Sequence, residues 1–166
     1  SKDSTSLLIA TGLSQVPNNN IKFYWRLKNH KSFLKKIGIK FSKIWPRMTR
    51  DFEIIFADYE DLINAKKILE TIIIKKDSTK IFKEIEVRNK SLFVTLTYPV
   101  EIKKDDSLII NEKLEFNFFN EVSFVAIKNG NHDGKGYVFC SPNLNFKKTH
   151  ETIHVSKIHN LIMNAL

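Results

Sequence analysis

The chain has 166 residues, enough for one ordinary domain with a real core and too few to promise two. Twenty-seven Lys and Arg against 18 Asp and Glu give a formal charge of +9, which would attract anionic partners, but only four of these cations are Arg. The abundant Lys arrives with abundant Ile and Asn and so reads as composition bias more than as a nucleic-acid reader built on Arg forks; the single Cys140 excludes an internal disulfide and a Cys-x-x-Cys zinc site.

No apolar stretch approaches the roughly 20 residues of a spanning helix, so no membrane span is expected. The apolar run Ser6 to Ala10 begins almost at once, with no initiator Met and no cleavage pattern before it. We therefore read residues 1–166 as a single domain cut from a longer chain. Leu7-Leu8-Ile9-Ala10 is expected to be a buried strand of a parallel sheet. Val16-Pro17-Asn18-Asn19-Asn20 carries turn chemistry and predicts a loop. Asn29 is the expected N-cap of a short helix with Phe33, Leu34 and Ile37 inside, basic outside and stopped by Gly38.

Phe52 to Phe56 predicts a strand, and Asp58 with Asp61 forms a weak capping box for a helix whose core face is Leu62, Ala65, Leu69 and Ile72. Strands are expected over Ile81 to Val87, Leu92 to Tyr98, Ser107 to Ile110, Leu114 to Phe118 and Val122 to Ile127. The even positions of Leu92 to Tyr98 are apolar, so that strand is expected to have one wet face. A polar loop from Lys128 to Gly136 holds three of the five glycines. Tyr137 to Cys140 is the next strand, with Cys140 a buried structural thiol, and Ser141-Pro142 ends it. Ser156 caps a closing helix with Ile158, Leu161, Ile162 and Ala165 on one stripe. The order of elements is α/β, with a more antiparallel middle.

The run Val122 to Leu166 resembles the C-terminal signature of the alkaline phosphatase superfamily, in its type I phosphodiesterase and nucleotide pyrophosphatase branch. The resemblance is carried by Gly130-Asn131-His132, the strand Gly136 to Cys140, the Ser141-Pro142 turn and Ile158 in the closing helix. It implies a partial alkaline-phosphatase-like three-layer fold with a mixed sheet and helices packed on it. It also implies a metal ligand at His132, zinc as the divalent cation, and a phosphoester substrate. In that family an apolar strand delivers Ser-Asp-His-Gly; here Leu7 to Ala10 is followed by Thr11-Gly12-Leu13-Ser14. Gly12 and Leu13 stand where Asp and His would be, and neither has a donor atom. The family's nucleophile and first metal Asp lie in an N-terminal half that these residues do not include. The expected function is thus the C-terminal lobe of a phosphodiesterase-like hydrolase, not catalytic alone, with zinc bound only in a complete parent. Its expected partner is the missing half or another copy of the chain.

Other chemistries are weaker. Gly130-x-x-x-Gly134-x-Gly136 lacks the Gly-Lys-Ser/Thr of a phosphate loop. Ser14 lacks the Gly-x-Ser-x-Gly frame, since residue 16 is Val. His154 and His159 are five apart, not i, i+4; His30 and His150 have no assigned role. Phe23-Tyr24-Trp25-Arg26 is the one aromatic cluster that could form a surface patch, and packing of that loop onto the sheet is the preferred reading. The alternatives are a basic nucleic-acid or polyanion-binding module, and an assembly lobe that has lost catalysis and uses Asn18 to Arg50 as its interaction surface.

Overall fold

The computed structural model describes residues 7–141 and 152–165. Among them the chain is a mixed α/β protein with three α-helices and several small sheets, whose ladders β1–β11, β3–β4, β4–β7, β6–β7, β5–β8 and β8–β9 all run antiparallel (ranges below). No helix among the described residues is long and apolar enough to cross a membrane. The chain divides into a discontinuous unit, residues 1–19 with 130–166, and a continuous one, Asn20–Asn129.

In the continuous unit, β3 (Lys43–Pro46), β4 (Asp51–Ile55), β7 (Ser91–Thr95) and β6 (Glu84–Arg88) form a four-stranded sheet in the order β3-β4-β7-β6. Alternation dictates its faces: Phe52 and Ile54 of β4 stand opposite Val94 and Leu92 of β7, and all four are buried. A second sheet has the order β5 (Ile73–Ile74), β8 (Ser107–Ile110), β9 (Leu114–Asn117).

Two helices belong to this unit. In α1 (His30–Lys36) the Asn29 side chain accepts from the Ser32 amide at 2.9 Å, Phe33 and Leu34 are buried, and Gly38 leaves the helix at φ +79. In α2 (Tyr59–Thr71) the buried face is Leu62, Ala65 and Leu69, as the period predicts. Asp58 precedes α2 in extended conformation but its side chain makes no cap bond. Glu60 and Asp61 in the first turn complement the helix dipole in its place. Edge-to-face rings tie these elements: Phe82 stands 6.2 Å from Phe33 and 5.8 Å from Phe52, centroid to centroid.

β2 (Ser14–Leu27) and β10 (Val122–Asp133) pair as a two-stranded sheet; β2 up to Asn19 and β10 from Gly130 belong to the discontinuous unit. Two expected loops are therefore strand. Val16 to Asn20 lies inside β2, Pro17 included, because a two-stranded ribbon has an open side where proline's missing N–H costs no ladder bond. Lys128 to Asp133 likewise completes β10.

The discontinuous unit also contains β1 (Leu8–Ala10) paired with β11 (Val138–Cys140), and α3 (Ile158–Ala165) after a 3₁₀ turn, Val155–Lys157. The expectation that Leu7 to Ala10 is a buried parallel strand is corrected: β1 is antiparallel to β11, and Leu7 and Ile9 are exposed. An apolar run specifies a strand but not the direction of its neighbour, which here comes from the far end of the sequence. Cys140 is likewise exposed, not buried. At the closing helix His154, not Ser156, is the capping side chain, and it caps the 3₁₀ turn, accepting from the Ser156 amide. Ile162 of α3 is exposed; the side chains of Leu161 and Ala165, and the residues Ser6, Pro142 and His150, lie outside the described set.

Candidate functional site

Residues 7–16 and 130–141, in which a phosphoesterase-like pattern was expected, meet in the discontinuous unit. In the β1–β11 ladder Leu8 faces Cys140, Ile9 faces Phe139 and Ala10 faces Val138. Beyond the ladder the pairing continues through Thr11, whose amide donates to the Tyr137 carbonyl at 2.9 Å and whose hydroxyl oxygen accepts from the Tyr137 amide at 2.9 Å. At the other end the Ser141 amide donates to the Leu7 carbonyl at 2.8 Å. Gly136 lies so close to this segment that a Cβ there would stand 1.8 Å from the Thr11 carbonyl oxygen, so only glycine fits. A Cβ on Gly130 would stand 3.6 Å from the Val16 carbonyl oxygen and 3.8 Å from Gln15 Oε1, in ordinary contact.

The segments Thr11–Val16 and Gly130–Tyr137 thus run side by side, and the second carries His132, next to last in β10 and exposed. Asp133 turns inward on its own loop, its Oδ1 accepting from the Lys135 amide at 3.3 Å. Leu13 is exposed and Gly12 has no side chain, so the donor set here is one imidazole and its neighbouring carboxylate. Among the described residues no three His, Cys, Asp or Glu side chains come together to hold a metal ion. These residues do not by themselves fit a zinc site, and no chemical step through zinc is derived from them. His154 Nδ1 lies 2.7 Å from Ser156 Oγ and His159 Nδ1 3.3 Å from Asn160 Oδ1, each in local capping or neighbour contacts.

The continuous unit holds a second constellation, absent from the sequence expectations. On the outer face of the four-stranded sheet the register lines up Trp45, Glu53, Phe93 and Glu86 in one row across all four strands. Trp45 is 40% exposed, with Lys43 Nζ 4.8 Å and Arg47 Cζ 5.6 Å from its ring centroid. Arg88 Cζ stands 4.1 Å from the Phe93 ring centroid, and its Nη2 donates to Glu86 at 2.5 Å. Glu53 accepts from the Ser91 hydroxyl at 2.7 Å and pairs with Arg47. The Ser91 hydrogen bond, with Arg47 and Arg88 adding to it against a smaller desolvation effect, holds the Glu53 carboxyl below the usual range. Beside the row a shallow hollow of about 520 Å³ is bounded by Lys83, Glu84, Ile85, Glu86, Phe93 and Thr95. Phe23 to Arg26 packs inward, as preferred over a surface patch: Trp25 is buried, its indole N–H donating to the Val100 carbonyl at 2.9 Å. The sequence signal for the exposed Trp45 is Lys43-Ile-Trp45-Pro-Arg47, cation, aromatic and cation at a two-residue period.

A third cluster is structural. Asp106, with its side chain 5% exposed, accepts from Lys76 Nζ at 2.7 Å and from the Lys103 amide at 2.8 Å. Nearby the Tyr98 hydroxyl donates to Asp77 at 3.0 Å. Burial first, and then that carboxylate, push Tyr98 up to about 12. Every polar group here has its partner, and the adjoining hollow of about 210 Å³ is small. Compared with known proteins, the chain matches no family model, no curated protein and no solved structure.

Proposed function

We propose that the chain is the lobe of a metal-dependent phosphodiesterase- or phosphatase-like hydrolase that carries the last metal-ligating histidine, His132, and that it is not catalytic alone. The observation that supports this reading is the antiparallel register of β1 on β11, which sets Thr11 against Gly136 and Tyr137. The two sequence segments that resemble opposite walls of a phosphoesterase metal site, some 120 residues apart, are thereby neighbours in one unit.

In this reading the discontinuous unit belongs to an alkaline-phosphatase-like three-layer fold, and Asn20–Asn129 is a continuous module interposed between its ligand-bearing segments. That accounts for the resemblance being carried by the ends of the chain and fading across Lys75 to Glu121. The nucleophile and the first metal Asp come from an N-terminal half, and the substrate is a phosphoester. With Gly12 and Leu13 unable to coordinate, one cation site is weakened or remodelled even in the assembled protein.

Zinc titration by calorimetry, on this chain alone and joined to the N-terminal half of its parent, tests the reading. Zinc bound only by the joined protein, and weakened by His132→Ala, is the expected result. Zinc affinity indifferent to His132→Ala, or no zinc in the joined protein, overturns it.

A further inference from the structure

From the continuous unit we infer that β6 is the contact through which two copies of this chain associate, edge to edge and antiparallel, about a two-fold axis at Glu86. This goes beyond the hydrolase reading and stands on different residues. Backbone geometry is the first argument. Among the described residues β6 is the outer strand of the β3-β4-β7-β6 sheet, paired with β7 on one side only. Asn89 and Lys90 join the two strands as a two-residue turn. The closing pair, Arg88 and Ser91, then exchanges backbone bonds, and alternation turns the N–H and C=O of Ile85 and Val87 outward. With the axis at Glu86, Ile85 stands opposite Val87 of the second copy and Val87 opposite its Ile85, so these outward groups all find partners.

The side chains favour the same register. On the inner face Ile54, Leu92 and Val87 stand in one row; the first two are fully buried, whereas Val87 is 39% exposed, so an apolar layer ends uncovered at the β6 edge. The second copy continues that layer with its own Ile85 and Val87. On the outer face Glu84 comes opposite Arg88 at both ends of the pairing. Glu84 is in no ion pair among the described residues. Arg88 gives one Nη to Glu86 and keeps the rest of its guanidinium fork for Glu84 of the other copy. The shallow hollow beside Glu84, Glu86, Phe93 and Thr95 leaves room for that guanidinium. The one like-charged pair is Glu86 with its own copy at the axis, each carboxylate already held by its Arg88 at 2.5 Å. The opposite edge, β3, is not self-complementary: Lys43 and Arg47 are both cations and Pro46 has no N–H to give. Five residues a side fall short of the roughly 1,200 Å² of a stable interface, so the dimer is a weak one.

Sedimentation equilibrium of the full chain, from low to high micromolar concentration, tests this, with circular dichroism showing that each variant is folded. Expected is a reversible monomer–dimer equilibrium. Val87→Lys, which puts an ammonium on the apolar edge, and Glu84→Arg, which sets cation against cation, should each weaken it about tenfold. Glu86→Gln removes the repulsion at the axis and should tighten it. Glu84→Arg combined with Arg88→Glu recreates both ion pairs in this register, and should restore association to within about threefold of the original chain. A chain that stays monomeric at the highest concentration overturns the proposal. So does association that Val87→Lys and Glu84→Arg leave unchanged, or a folded charge exchange that fails to recover what Glu84→Arg loses.

Discussion

The His30 imidazole meets the Phe52 ring edge-on at 5.0 Å between centroids, and His30 is buried. Burial, with Arg26 adding repulsion, lowers its pKa from 6.5 to about 4. The unfolded chain therefore takes up a proton between pH 6.5 and about 4 that the folded chain refuses. The stability contributed by the neutral ring is fully present above pH 6.5 and is lost as pH falls toward 4. By linkage this amounts to as much as about 3 kcal/mol, less where solvent reaches the ring. Urea unfolding at pH 7 and pH 5 should show the loss, and His30→Phe should remove this part of the pH dependence.

Asp106 organises the turn before β8 by accepting from both Lys76 and the Lys103 amide. Asp106→Ala leaves that amide without its acceptor and should cost about 2 kcal/mol, while Asp106→Asn, which keeps an acceptor, should cost about half as much. The midpoint of urea unfolding should move with its slope unchanged.

Gly136→Ala places a methyl group against the Thr11 backbone, where a carbonyl oxygen would lie 1.8 Å away. Gly134 has nothing within 4 Å of such a methyl. The first variant should open the β1–β11 pair and speed amide exchange at Thr11, Tyr137 and Ser141; the second should leave these rates as they are.

Cys140 is exposed, so it should react with a thiol reagent in the folded protein. One equivalent of label per chain without denaturant is expected. Protection that disappears only on unfolding would contradict the exposed position of β11.

The continuous unit was the more legible part of the sequence, because there each local signal agrees with the tertiary structure. Leu62, Ala65 and Leu69 repeat at helical spacing and face the core, and Asn29 and Gly38 punctuate α1 as their chemistry requires. Leu92, Val94, Leu96 and Tyr98 are all buried as the alternation predicts, but the opposite face is not the wet one expected, since Ser91 and Thr95 are buried as well. At the ends, long-range pairing overrides local preference. Pro17 and three asparagines lie in a strand because β10 runs beside them, and Cys140 is exposed although its apolar neighbours suggest a core. His132 could be singled out from its glycine-rich surroundings. The row of Trp45, Glu53, Phe93 and Glu86 could not, because it exists only once four strands from two stretches of the sequence are in register.

The bond from the Leu7 amide to Ser141 Oγ joins residues 134 positions apart. On the ribosome β1 emerges ahead of Asn20–Asn129 yet has no mate until β11, about 130 residues later, has followed. Until then its leucines and isoleucine remain available to chaperones or to neighbouring nascent chains, after Asn20–Asn129 has had time to fold. The closing of that β-ribbon therefore comes after the continuous unit has formed, and is the step most open to aggregation.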